Sequence, residues 1–280
     1  MYELIETRVK ASFLGEIQAL KPGNVSIYAD GHDMTAADFE RSAEIVTPII
    51  CDPNKRLGQR ILAAVDATIE SVGCNTNLGM LLLFAPIIMA TEKGISNDNE
   101  LQQQLNKVLT SCNQQDALDV FDAIALANPG GLGKQSQYDV NDRPECSLQE
   151  AMQFASTYDN VAMQYISNFQ AIFQQGLVTI RGFVKRWNSV EWATVACYLD
   201  FMATLADSHI QRKFGAELAN KIKIESRVVN DQFVKLNKPA DAKATLLEFD
   251  KQLKQSNINP GTSADLTATS LLVYNLLSLN

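Results

Sequence analysis

Four short segments of the sequence contain most of the residues that could bind a ligand or transfer a proton. They are rich in Gly, Pro, Asn, His and Asp, and each lies at the boundary of a predicted helix, where backbone N–H groups are free to meet an anion. Simple connections between helices rarely need so many special residues, which indicates a binding site built from distant parts of the chain. The segments are residues 16–25 (EIQALKPGNV), 31–34 (GHDM), 73–79 (GCNTNLG) and 259–266 (NPGTSADL).

The first two segments supply the candidate catalytic residues. Glu16 borders the apolar stripe of the first predicted helix, so its carboxylate is expected to be partly desolvated and able to act as a base or bind Mg²⁺. His32 is a candidate base or phosphate donor because an imidazole titrates near neutral pH, and Asp33 stands beside it. The structural alternatives are an ordinary carboxylate at a helix edge for Glu16 and a hydrogen-bonding loop residue for His32.

The third segment places three polar residues ahead of a very apolar helix. One of them is expected to cap that helix, but three in a row exceed what a cap needs and favour a phosphate or nucleotide cradle. Lys21 could hold a phosphate or interact with the helix dipole, and Arg212 could clamp a phosphate or lie on the surface. The predicted substrate-binding residues are Lys21, Gly23, Asn24, Asn75, Thr76, Asn77, Gly79, Arg212 and Ser263.

The last segment holds a candidate metal ligand. Residues 262–265 have the pattern of a capping box, which is the structural alternative for Ser263 and Asp265. A carboxylate in the first turn of a helix would repel a bare phosphate, so a functional Asp265 is expected to bind Mg²⁺. The predicted metal ligands are Glu16, Asp33 and Asp265.

Composition restricts the class of protein. The chain has 280 residues, of which 46% are hydrophobic and 20% charged, as in ordinary globular enzymes. A net charge of −8 disfavours binding to nucleic acids or anionic membranes, and two histidines exclude a multi-histidine metal centre. Five scattered cysteines without a C-x-x-C pattern indicate reduced thiols. The sequence shows no apolar signal core, and its longest apolar run, residues 80–90, is too short to cross a bilayer, so a cytoplasmic protein is expected.

Apolar residues recur at helical spacing almost everywhere, and no alternating strand pattern of useful length is present. This predicts an all-α fold, with roughly ten or more helices in one compact domain over residues 1–280. One long irregular loop, residues 128–146, is typical of a lid or binding loop. Helices are predicted from about Ile5 to before Pro22, and over residues 35–48, 57–72, 77–90, 99–111, 115–127, 147–175, 190–201, 209–230, 240–255 and 263–279.

The order and spacing of these segments resemble the triphosphoribosyl-dephospho-CoA synthase family, which makes the prosthetic-group precursor of citrate lyase and malonate decarboxylase. The resemblance rests on Lys-Pro-Gly, on Gly-His-Asp-Met, on Asn-Thr-x-x-Gly opening an apolar helix, and most specifically on Pro-Gly-x-Ser-Ala-Asp-Leu. It extends from Glu16 to Leu266, and Asp207, Arg212 and Gly215 match a further family pattern more loosely.

This resemblance implies an all-helical pentosyl transferase. ATP would donate its triphosphoribosyl group, adenine would leave, and a ribose hydroxyl of dephospho-CoA would attack the anomeric carbon. Such a reaction needs a base for the hydroxyl and cations or N–H groups for the phosphates. Mg²⁺ is expected because it neutralises phosphate oxygens.

The third segment departs from the family pattern. Asn77 and Leu78 stand where the family commonly has His and Lys, and Leu78 cannot replace the lysine charge. Two alternatives therefore stay open. One is an α-phosphoribosyl transferase that acts on another acceptor, such as a pterin-linked ribityl group, with phosphoribosyl pyrophosphate as an alternative donor. The other is a helical nucleotide-binding protein without catalysis. The oligomeric state is left open.

Overall fold

A computed structural model shows that the chain is helical, as the apolar periodicity predicts. The structure describes residues 2–130, 139–140 and 142–278, and this part holds two isolated β-bridges but no strand. The all-α prediction is confirmed. The α-helices of this part are α1 (Tyr2–Gln18), α2 (Ala36–Ile50), α3 (Leu57–Val72), α4 (Leu78–Thr91), α5 (Asp98–Ser111), α6 (Gln114–Ala127), α7 (Leu148–Ala155), α8 (Asn160–Ile166), α9 (Leu177–Trp187), α10 (Val190–Thr204), α11 (Ser208–Phe214), α12 (Ala216–Phe233), α13 (Lys243–Gln255) and α14 (Gly261–Leu277).

The helices belong to two compact units. The first unit comprises residues 1–11, 41–170 and 275–280, and in it α3 packs on α6 and α4 packs on α5. The second unit comprises residues 12–40 and 171–274, and in it α10 packs on both α9 and α12. A single domain over the whole chain stays a prediction.

Most predicted helix ends lie within a few residues of the observed ones. Gly73 ends α3 in a left-handed conformation with φ of 80°, and its N–H donates to Ile69 O. Asn113 and Asp116 form a capping box at the start of α6. α4 is buried along almost its whole length, as its apolar run predicts, although Pro86 lies inside it.

The prediction of one long helix over residues 147–175 is wrong. The capping box at Ser147 is present, but α7 ends at Ala155 and α8 begins after Asp159, whose side chain caps two backbone N–H groups. Asn168 and Phe169 then adopt left-handed conformations, and a π-helical turn at Ile172–Gly176 leads into α9, which the sequence analysis did not predict.

The long loop is only partly described. Asn128 ends α6 in a left-handed conformation, while Gly131 and Gly133 lie outside the described residues. All five cysteines are free thiols. No helix in the described ranges combines the length and the apolar character needed to cross a membrane.

Gly176 allows a close approach within the second unit, and replacing it should destabilise the protein. An alanine Cβ at this position would lie 1.9 Å from Ser270 Oγ and 3.0 Å from Phe201 Cζ. We expect Gly176→Ala to lower the free energy of unfolding by about 1–3 kcal/mol because of this overpacking. Urea unfolding measures the difference.

The matched control for this substitution is Gly182→Ala in α9. Nothing lies within 4 Å of a Cβ placed at Gly182. This change should therefore be neutral or stabilising, since alanine favours a helix by about 1 kcal/mol over glycine. Equal effects of the two alanine substitutions would contradict the packing argument.

Candidate functional site

The second unit brings the first and last sequence segments into contact. Lys21 Nζ donates to Asn24 Oδ1 at 2.9 Å, and Asn24 Nδ2 donates to Asn259 Oδ1 at 2.7 Å. All three side chains are buried. The residues around Lys-Pro-Gly and the residues before Pro-Gly-x-Ser therefore form one hydrogen-bonded chain, although 235 positions separate the two asparagines.

A fully buried ion pair lies at the start of this chain. Lys21 Nζ lies 2.7 Å from Glu16 Oε1, and both side chains are 0% exposed. Burial raises the pKa of Glu16 and lowers that of Lys21, and in each case the attraction of the partner opposes the shift. Lys21 also donates to the carbonyl oxygen of Val25, so its ammonium group lies against three protein oxygens.

The second carboxylate oxygen of Glu16 is different. Oε2 is buried and has no hydrogen-bond partner among the residues that the structure describes. An unpartnered buried acceptor is costly, at about 1–3 kcal/mol. It is therefore the kind of atom that a substrate hydroxyl or a metal ion would satisfy. Glu16 thus keeps one oxygen of the ion pair open to a ligand.

The Lys-Pro-Gly turn is held by groups from distant helices. Tyr198 in α10 donates its hydroxyl to Pro22 O at 2.7 Å, and Asp250 in α13 accepts from Gly23 N at 2.8 Å. Gly23 has φ of 82°, and a Cβ there would lie 2.8 Å from Pro260 Cδ. The positive φ and the close approach of Pro260 therefore require glycine at position 23, whether or not Gly23 also binds substrate as predicted.

His32 also holds this turn. Its Nε2 lies 2.9 Å from Gly23 O and its Nδ1 lies 3.2 Å from Asn257 Oδ1. A carbonyl oxygen can only accept, so Nε2 carries the hydrogen. Both ring nitrogens are engaged, which favours a structural role over that of a base. Asp33 is exposed in a left-handed conformation.

Sequence reasoning missed the α13 residues that support the turn. Lys254 donates to Ala29 O at 2.9 Å and pairs with Asp250. One sequence signal was available, because Asp250 lies in the apolar stripe of its helix beside Phe249 and Leu253, all three of which are buried. A carboxylate in such a stripe indicates a buried polar contact.

The start of α14 is tied to α11 by a buried carboxylate. Asp207 Oδ1 accepts from the backbone N–H groups of His209 and Ile210, and Oδ2 accepts from Ser263 N at 2.7 Å and Ser263 Oγ at 2.8 Å. Burial raises the pKa of Asp207 despite the hydrogen bonds from Ser263. α14 begins at Gly261, so Ser263 lies in its first turn. The backbone N–H of Ser263 is capped there by the side chain of Asp207. The hydroxyl hydrogen of Ser263 is thus already committed.

The three predicted metal ligands do not gather into one cluster. Within the described ranges, no group of three or more His, Cys, Asp or Glu side chains is arranged to hold a metal ion. The negative charge of Asp265 nevertheless lies close enough to Lys21 to oppose, weakly, the lowering of the Lys21 pKa by burial. Mg²⁺ commonly takes one or two carboxylates and completes its shell with phosphate oxygens and water. The charge of Asp265 and the open oxygen of Glu16 fit that requirement.

The third segment lies in the first unit. Asn75 Oδ1 caps Leu78 N at 3.1 Å, and Thr76 Oγ1 lies 2.7 Å from Ser42 Oγ. Asn77 is 4% exposed, and its Nδ2 has no partner in the part of the chain described. A buried amide donor is thus open at the N-terminus of α4, and Gly79 follows it in the first turn of that helix.

Comparison with known proteins identifies the family. The sequence matches the family described as CitG: ATP:dephospho-CoA triphosphoribosyl transferase over residues 2–280. A solved structure from Archaeoglobus fulgidus, provisionally described as a triphosphoribosyl-dephospho-CoA synthase, superposes with a TM-score of 0.69 at 22% identity. The alignment covers 86% of this chain and 99% of that one, and at this identity it shows a shared fold. No curated protein matches the chain. The match over nearly the whole sequence shows that the chain belongs to the CitG family of ATP:dephospho-CoA triphosphoribosyl transferases, and it is a transferase.

Proposed function

We propose that this protein transfers the triphosphoribosyl group of ATP to a ribose hydroxyl of dephospho-CoA and releases adenine. The observation that supports this most strongly is the family match over residues 2–280, because the family is described by these two substrates. In the reaction, the bond between the anomeric carbon and adenine breaks and adenine leaves with the electron pair. A new bond forms between that carbon and the acceptor oxygen, which loses its proton.

Glu16 is the proposed base for that proton. Its Oε2 atom is buried and unpartnered among the described residues, while Oε1 is held by Lys21. Burial raises the pKa of Glu16. A general base works best when its pKa lies near the working pH, so this shift favours Glu16 as a base at neutral pH. Lys21 then has a positioning role, since it fixes the carboxylate through the other oxygen.

The phosphate groups of ATP need positive charge or N–H donors. Mg²⁺ would be held by Asp265, with phosphate oxygens and water as its other ligands, and it would neutralise those phosphate oxygens. Asp33 is exposed and a weaker candidate. Arg212 in α11 and the open Nδ2 of Asn77 are the proposed phosphate donors of their respective units.

The reaction can be tested directly with the purified protein. ATP, dephospho-CoA and Mg²⁺ should together yield free adenine and a product heavier than dephospho-CoA by one triphosphoribosyl group, detected by chromatography with mass spectrometry. Omitting dephospho-CoA should abolish the heavier product. If neither adenine nor the adduct forms, this substrate pair is wrong.

A second candidate keeps the chemistry and changes the substrates. Leu78 is buried and uncharged where the resemblance leads one to expect lysine, so a positive charge that could bind a phosphate is missing there. Phosphoribosyl pyrophosphate as donor carries a monophosphate instead of a triphosphate at the ribose 5′ position, so it would need fewer contacts there. With a pterin-linked ribityl acceptor it would release pyrophosphate and no adenine, which separates the two candidates in one assay.

A further inference from the structure

His209 has no role in the proposal above, although it lies among residues assigned to phosphate binding. It is the second residue of α11, three positions before Arg212. Its backbone N–H donates to Asp207 Oδ1 at 2.9 Å and approaches Thr262 Oγ1 at 3.2 Å. These contacts fix His209 beside the first turn of α14.

The imidazole ring packs on the glycine of the last sequence motif. A Cβ placed on Gly261 would lie 2.8 Å from His209 Nδ1 and 3.4 Å from its Cγ. Any larger residue at position 261 would therefore push the ring away. This close approach explains why the motif has glycine at position 261, which the sequence alone did not reveal.

The other ring nitrogen is open. His209 Nε2 is buried and has no hydrogen-bond partner within the described ranges. Burial, together with the charges of Arg212, Lys213 and His32, lowers the pKa of His209 to about 3. The ring is thus neutral at physiological pH, and it stands in a positive local field.

We propose that His209 is a further substrate-binding residue, which donates Nε2–H to a phosphate oxygen of the polyphosphate substrate beside Arg212. A neutral imidazole carries one N–H, and an anion is the partner that the surrounding basic side chains favour. The inference rests on the proposed function for the identity of the polyphosphate as the triphosphate of ATP. The contact itself requires only a polyphosphate.

Inorganic tripolyphosphate is the probe for this contact. We expect His209→Phe to weaken its binding about 10- to 100-fold, the range for a lost hydrogen bond to a charged group. His209→Gln should retain much of the affinity because its amide can donate from a similar position. Lys221→Gln, which removes an exposed cation of α12, is the control and should bind like the unmodified protein.

A second pair of variants uses the packing on Gly261. Gly261→Ala should weaken tripolyphosphate binding in the unmodified protein because the methyl group displaces the ring. In the His209→Ala background the same change should have little further effect, since no ring remains to be displaced. Fully additive losses, or binding unchanged in His209→Phe while its circular dichroism and melting temperature match the parent, would overturn the proposal.

Nitrogen-15 spectra of the two histidine rings give a readout that a purely structural role would not move. Tripolyphosphate should shift the His209 Nε2 resonance at saturation, and an unmoved resonance contradicts the contact. Failure of the proposed function would look different. The unmodified protein would then release no adenine from ATP, yet tripolyphosphate binding would still depend on His209.

Discussion

Replacing Glu16 with glutamine should lower kcat for adenine release about 100- to 10,000-fold. This is the usual contribution of a positioned general base, and glutamine keeps the shape of the side chain. The KM for dephospho-CoA should change much less, because the proton is transferred in the transition state. Initial rates at several dephospho-CoA concentrations separate the two parameters.

The control for Glu16→Gln must remove the charge that this substitution leaves behind. Lys21 would lose its carboxylate partner in a site where both side chains are fully buried. The double variant Glu16→Gln, Lys21→Met removes both charges and should recover most of the stability, since a buried pair replaced as a whole is often tolerated. It should still be inactive. Recovery of turnover in the double variant would mean that Glu16 is not the base.

Replacing Lys21 alone with methionine should lower the free energy of unfolding by about 3–5 kcal/mol at neutral pH, because it leaves the Glu16 carboxylate buried without its ion pair. The loss should grow with pH. Burial raises the folded pKa of Glu16 above its ordinary value of 4.5, and Lys21 no longer opposes that rise. Well below pH 4.5 the carboxyl is neutral in both states, whereas at higher pH the unfolded state releases its proton first and is favoured. Urea unfolding between pH 5 and 8 measures the slope.

An exposed ion pair provides the comparison for Lys21→Met. Lys10 lies 3.3 Å from Glu44, with side chains 43% and 66% exposed. Lys10→Met should cost less than about 1 kcal/mol. A loss of similar size and pH slope in the two variants would show that burial of Glu16 and Lys21 does not set the energetics of the site.

Local signals predicted the helices well where they agreed with tertiary structure. Gly73 ends α3 and Ser147 caps the start of α7, next to the predicted helix ends at residues 72 and 147, because a left-handed glycine and a capping side chain act on their own backbone. Residues 147–175 were different. Their helix-forming composition continues past Asp159, and the π-helical turn comes just where Gly176 meets Ser270, a contact that no local pattern encodes.

The candidate site shows the same difference between features that local patterns predict and features that depend on the folded structure. Motif order was enough to select Glu16, Lys21 and Asn24, and the structure joins the last two to Asn259. The functions of individual residues were less predictable, because they depend on partners far away in sequence. The ring nitrogens of His32, a predicted base, lie against Gly23 O and Asn257 Oδ1, and these contacts exist only in the folded chain.

A crystal structure with dephospho-CoA and a non-hydrolysable ATP analogue bound would test directly whether Glu16 is the base. Glu16 Oε2 should lie within about 2.6–3.2 Å of the acceptor ribose hydroxyl, with Oε1 still on Lys21. A complex in which another carboxylate contacts that hydroxyl, and Glu16 remains sealed against Lys21 alone, would contradict that assignment.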